Sequence, residues 1–144
     1  MIGVTRRYRF AASHRLHTPQ LSEQANRELY GKCNNPYGHG HNYEVEITVQ
    51  GPVDPATGRA VDLRELDRLV KAEVLDAFDH RNLNAEIPQF AAVVPTSENL
   101  AIELDRRLRA RWDVTFSTGW PRLQKIRIAE TARNIFEVLD SHET

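Results

Sequence analysis

One cysteine, Cys33, stands in 144 residues, so no disulfide closes within the chain and the sequence fits a reducing compartment. No apolar run approaches the length of a membrane span, and Met1-Ile2-Gly3-Val4-Thr5-Arg6-Arg7 lacks the apolar core of a secretion signal. Net charge is nearly absent: 19 Lys and Arg face 20 Asp and Glu, which removes the broad positive field of a nonspecific nucleic-acid binder. The one basic cluster, Arg106, Arg107, Arg109 and Arg111, reads as a solvated helix face. Internal repeats and low-complexity segments are missing as well. These absences predict a soluble, cytoplasmic chain with no nucleic-acid or membrane partner, folded as a single domain over residues 1–144 with room for a real core.

What is there is alternation. Tyr8, Phe10, Ala12 and His14 share one parity against Arg9, Ala11, Ser13 and Arg15, which predicts a half-buried strand from Tyr8 onward. Tyr43, Val45, Ile47 and Val49 against Asn42, Glu44, Glu46 and Thr48 predict a second strand of the same type. Residues 18–38 between them are polar and broken by Pro19, Gly31, Pro36 and Gly38, a long loop with a short helical turn around Glu23 to Tyr30. A loop of that length in a compact domain is usually functional or disordered. Asp62 with Glu65 resembles a helix cap with its capping partner, and Leu63, Leu66, Val70 and Val74 recur at helical spacing to about Ala77. Thr96 or Ser97 caps a second helix with the apolar stripe Ala101, Leu104, Leu108 and Trp112. Leu123 to Glu130 and Ile135 to Leu139 read as two more strands, joined by a tight turn near Ala132 to Asn134. The order strand-strand-helix-helix-strand-strand predicts an α+β fold, a four-stranded antiparallel sheet with both helices on one face. Its two open edges invite edge-to-edge assembly into a larger barrel.

Chemistry-bearing residues concentrate in "GKCNNPYGHGHNYEVEITV", Gly31 to Val49. His39 and His41 lie two apart and share the parity of Tyr43, Val45 and Ile47, so on an extended backbone both imidazoles point to one face. His14 is in phase with the apolar side of the first strand. Three converging neutral imidazoles with one open position make the ligand set of catalytic zinc, although a His-x-His pair is also compatible with two ordinary polar residues. His17 lies off this parity and His142 sits in the terminal tail, so neither joins the site. Cys33 admits two readings, a small buried hydrophobe or a thiolate favoured by Lys32 or a nearby metal. Asp79-His80 is either an acid–base pair that relays a proton or a favourable helix C-terminus. Glu130 shares parity with Ile126 and Ile128, so a carboxylate points to the core side and needs a partner. That partner is an arginine, or the planar amidine-like edge of a pterin or purine bound by two charge-assisted hydrogen bonds.

Taken together these residues resemble the 6-pyruvoyl-tetrahydropterin synthase family, which also includes 6-carboxytetrahydropterin synthase. Six stretches carry the likeness in order: "FAASHRLH", "YGKCNNPYGHGHNYEV", "GPVDPATGRAVDL", "FDHRNLN", "PTSENLA" and "IRIAETARN". The resemblance implies the tunnelling fold (T-fold), whose subunits join edge to edge into trimers that stack as a homohexamer with active sites at subunit contacts. It implies zinc (Zn2+) held by His14, His39 and His41, a catalytic set of Cys33, Asp79 and His80, and a substrate pocket of Glu130, Thr96, Ser97 and Glu98. The activity implied is that of a carbon–oxygen lyase converting 7,8-dihydroneopterin triphosphate to 6-pyruvoyl-tetrahydropterin with loss of triphosphate, as in tetrahydrobiopterin synthesis. Five residues separate Cys33 from His39, an interval resembling the pyruvoyl branch, whereas carboxy-branch members have a shorter one. Tyr37, Ser97 and "ETARN" depart from the commoner residues of the family. The rival readings are the carboxy-branch reaction of queuosine synthesis, which releases acetaldehyde, and a noncatalytic zinc- or pterin-binding protein.

Overall fold

Thirteen residues of β1 (Ile2–His14) pair antiparallel with thirteen of β2 (His39–Gly51), from Ile2 opposite Gly51 to His14 opposite His39. The structure, a computed structural model, describes residues 1–139; His142 lies outside the described residues. Both strands extend beyond the expected bounds. Arg6 breaks the apolar alternation before Tyr8, yet its guanidinium makes a two-pronged pair with Asp67, donating at 2.7 and 2.9 Å, and Tyr8 donates to the same carboxylate at 2.7 Å. A charged residue can therefore occupy an inward position because a helix supplies its partner.

The long loop is organised by α1 (Glu23–Tyr30), capped by the Ser22 hydroxyl. Buried Asn26 accepts from the Thr18 N–H and donates to the Thr18, Leu21 and Ser22 carbonyls, pinning the loop to its own helix. Helix α2 (Leu63–Val70) starts on the Asp62 carboxylate, which accepts from the Arg64 and Glu65 backbones. It runs through a wider turn at Lys71–Leu75 into α3 (Asp76–Phe78). After α4 (Leu83–Glu86), α5 (Ser97–Thr115) begins at the Thr96 cap, whose hydroxyl accepts from the Asn99 N–H.

The sheet has five strands, not four, and it is mixed, in the order β3-β1-β2-β4-β5 with β4 at Arg122–Ala129 and β5 at Ile135–Val138. The added strand, β3 (Arg81–Asn82), runs parallel to β1 beside Ala12 and Ser13. The cause is local. As the chain leaves α3, the Ala11 N–H donates to the Asp79 carboxylate at 2.9 Å and the His80 N–H donates to the Ala11 carbonyl at 2.6 Å. Those bonds draw the following residues onto the β1 edge, and two residues leave no periodicity to read.

One face of the sheet meets the helices. Tyr43, Val45, Ile47, Ile126 and Ile128 pack against Leu66, Val70, Val74, Phe78, Leu100, Leu104 and Leu108, all essentially inaccessible. Each such side chain contributes roughly 1.5–3 kcal/mol of transfer free energy on burial. The opposite face carries Arg7, Arg9 and Arg127 interleaved with Glu44 and Glu46. The basic cluster on α5 is only partly the solvated face expected. Arg107 pairs with Glu103 and lies over the Phe78 ring, while Arg109 pairs with Asp105.

Candidate functional site

The site forms where β1 ends, β2 begins and β4 has just ended. His14 is fully buried, and its Nδ1 lies 2.8 Å from the Pro95 carbonyl oxygen. A carbonyl only accepts, so Nδ1 carries the proton and Nε2 presents a lone pair. Pro95 immediately precedes the α5 cap, so the helix start sets the orientation of this ring. Gly38 is required just before β2: at φ +81 a Cβ there would come within 3.2 Å of the His14 carbonyl oxygen.

His41 is the hub. Its Nε2 lies 3.1 Å from His14 Nε2, 3.0 Å from Glu130 Oε1 and 3.7 Å from Cys33 Sγ. Opposite His41 in the ladder stands Ala12, whose small side chain leaves room for the ring. Cys33 is delivered by the 3-10 turn Gly31–Asn34, tied to the end of β1 by the Leu16 N–H donating to the Cys33 carbonyl at 2.7 Å. Glu130, directly after β4, keeps the inward phase of Ile126 and Ile128. Its partners are His41 and the Ser97 hydroxyl, which donates to Oε2 at 3.0 Å. Among the described residues no arginine lies within ion-pairing distance of Glu130.

One ligand atom each from His14, Cys33, His41 and Glu130 lies within 4.8 Å of all the others. Burial lowers the pKa of His14, opposed by its bond to Pro95, with His41 lowering it further. Burial likewise lowers that of His41 against the opposing pull of Glu130. The Cys33 thiol is pushed up, first by burial and then by the charge of Glu130. With the His14 proton committed to Pro95, lone pairs outnumber protons at the centre of the cluster. That is the condition a cation relieves, and nitrogen, sulfur and carboxylate donors together suit a divalent ion such as zinc. The residues fit a metal.

The other residues singled out in the sequence fall in three places. His39 sits opposite His14 in the ladder, exposed, its ring edge-on to His41 with centroids 4.6 Å apart, outside the four-atom group. Asp79 and His80 lie 3.5 Å apart on the far side of β1 from β2, with His80 82% exposed at a left-handed φ of 59°. Asp79 also ends α3, so the same residue closes the helix and approaches His80. The pair is not in contact with Cys33; His80 lines an open cleft of about 450 Å³ that His41 also lines. Of the Thr96, Ser97 and Glu98 group, Ser97 alone reaches Glu130, whereas Thr96 is occupied as a cap and Glu98 is exposed on the first turn of α5. His17 accepts from the Asn34 side chain at 3.1 Å. Two contributors escaped the sequence reading: the Pro95 carbonyl and the Tyr43 hydroxyl, 3.4 Å from His14 Nδ1. Tyr43 carried a signal, since a tyrosine on a buried parity needs a polar partner for its hydroxyl.

Fold and site define an α+β protein with a half-buried histidine, cysteine and glutamate centre suited to a metal ion. Residues 3–140 match the family described as 6-pyruvoyl tetrahydropterin synthase, and the chain belongs to that family. It is similar to the 6-pyruvoyl tetrahydrobiopterin synthase of Poecilia reticulata, at 46% identity over 92% of this chain and 86% of that one. The Homo sapiens protein of the same name is 43% identical over 92% of this chain and 87% of its own. Among solved structures, Caenorhabditis elegans 6-pyruvoyl tetrahydropterin synthase superposes with a TM-score of 0.86 at 40% identity, covering 97% of this chain and 96% of that one. No helix among the described residues is long and apolar enough to cross a membrane.

Proposed function

We propose that this chain is a 6-pyruvoyl-tetrahydropterin synthase, a lyase converting 7,8-dihydroneopterin triphosphate to 6-pyruvoyl-tetrahydropterin with elimination of triphosphate. The observation that carries the reading is the convergence of Cys33, His14, His41 and Glu130 on one point, in a chain akin to synthases of that name along nearly its whole length. Residues 1–144 act as one domain, and the chains assemble edge to edge as a cytoplasmic homohexamer. The free stretch of the β1 edge beyond Ala12 and Ser13, where the pairing with β3 stops, supports such assembly.

Zinc would be held by His14, His41 and His39, the last standing opposite His14 in the ladder. When bound, it supplies Lewis-acid polarisation to the hydroxyl oxygens of the substrate side chain. Cys33 then takes the carbon-bound proton as a thiolate, and His80, held by Asp79, exchanges protons with the side-chain oxygens. The exposure of His80 suits a site completed at a subunit contact. Glu130, oriented by Ser97, accepts two hydrogen bonds from the guanidine-like edge of the pterin. No external redox cofactor is required, because oxidation of the side-chain carbons balances reduction of the ring.

The test is incubation with dihydroneopterin triphosphate and mass analysis of the products. A product retaining all three side-chain carbons with one equivalent of triphosphate is the expected result; release of acetaldehyde places the chain in the carboxy branch, and binding without turnover makes it a noncatalytic binder. Glu130→Gln is expected to raise KM about 10- to 100-fold, the worth of a charge-assisted bidentate contact. Steady-state kinetics check this, and an unchanged KM removes Glu130 from pterin recognition.

A further inference from the structure

A second cleft, of about 460 Å³, is lined by residues that flank His14 and Cys33 in the sequence. Its lining brings together Arg15 at the end of β1, Arg27 on the last turn of α1, Lys32 in the Cys33 turn, and His17. Gly31, at φ 55, ends α1 and leads into the turn that carries Lys32. Among the described residues, none of the three cations has a carboxylate within 4.0 Å, unlike most arginines of this chain. Glu23 is the one acidic group in the lining. Three cations against one carboxylate leave two positive charges on a concave surface, with His17 counted neutral.

The hydrogen bonds hold donors toward this space. The Asn34 amide donates to the Leu16 carbonyl at 2.7 Å and to His17 Nδ1 at 3.1 Å. With Nδ1 accepting, the proton of His17 resides on Nε2, a further donor. Arg15 uses Nε to donate to the Asn34 carbonyl at 3.3 Å, which leaves its two terminal nitrogens without a protein partner among the described residues. Arg15 directly follows His14, and Lys32 directly precedes Cys33. The residues that would hold an anion in the cleft are therefore the immediate sequence neighbours of two groups of the reactive centre, His14 and Cys33.

We propose that this cleft is a polyphosphate subsite, taking the triphosphate tail of the substrate and holding it as the leaving group. The identity of the tail rests on the functional reading above; the anion chemistry rests on Arg15, Arg27, Lys32 and His17. Fork-shaped guanidinium donors and a lysine point charge are the groups that bind phosphate oxygens. Fixing the leaving group there also fixes the distance from the side-chain carbons to Cys33.

The test uses Arg27→Gln, because Arg27 is exposed and lies outside the four-residue metal-type cluster. Binding of inorganic triphosphate to the metal-loaded protein is measured by titration calorimetry, with Arg64→Gln, an exposed α2 position, as control. Arg27→Gln is expected to weaken triphosphate binding about tenfold, with Arg27→Lys restoring part of it and Arg64→Gln changing nothing. Binding in the parent protein is expected to weaken with salt. Triphosphate held by the metal instead leaves the Arg27→Gln affinity unchanged, which overturns the proposal. Kinetics separate the two readings. Turnover of the pterin triphosphate with an unaltered KM in Arg27→Gln keeps the reaction and discards the subsite. Arg27-dependent triphosphate binding in a protein without turnover keeps the subsite and discards the reaction.

Discussion

Replacing His41 by alanine is expected to yield protein that retains no metal through purification and has lost at least about a thousandfold in kcat/KM. His41 Nε2 is the single atom in contact with all three other members of the cluster, His14, Glu130 and Cys33. Its ring stands edge-on both to His14 and to His39. The effect is confined to the site, since the ring lies at the end of the strand pair and the core begins two residues later at Tyr43. Metal content by atomic emission and turnover report the loss, and circular dichroism verifies the fold. The same measurement on His39→Ala decides the ligand set. Metal loss there makes His39 the third ligand, whereas full retention assigns the ion to His14, His41, Cys33 and Glu130.

The strand phase explains how much of this was legible. His14, His39 and His41 could be placed on one sheet face because strand geometry alternates strictly, and His14 is indeed opposite His39 in the ladder. Glu130 could be placed inward for the same reason. Periodicity ends at the backbone, however. It does not say which rotamer an exposed side chain takes, so it places His39 on the face but not relative to the cluster. Contacts between distant elements were equally out of reach. Ser97 and Glu130 are 33 positions apart, and the Pro95 carbonyl that sets the His14 tautomer belongs to a backbone group that any residue would possess. The strand Arg81–Asn82 arises from bonds between Asp79, His80 and Ala11, tertiary contacts that turn a four-stranded expectation into a five-stranded sheet. Arg6 shows the reverse failure: its charge hides half of β1, because only the fold reveals Asp67 across from it.

Cys33→Ala is expected to keep its metal, bind the pterin with nearly unchanged KM, and lose about 10²- to 10⁴-fold in kcat, the usual worth of a positioned general base. Cys33 is held by backbone, through the Leu16 N–H on its carbonyl and the turn around it, so removing the sulfur leaves the loop in place. Its only side-chain contact in the cluster is the long one to His41, at 3.7 Å. Burial and the charge of Glu130 both oppose thiolate formation, so in the protein alone the group is a poor base near neutral pH. A cation among these donors reverses that balance by attracting the thiolate, which makes metal and base interdependent. Cys33→Ser separates the two functions, because a hydroxyl of similar size keeps the contact while its far higher pKa removes the base. Metal content and kcat, measured on the same preparation, distinguish the roles. Turnover like the parent protein with metal retained removes Cys33 from proton transfer, and loss of metal in Cys33→Ala identifies it as a ligand instead.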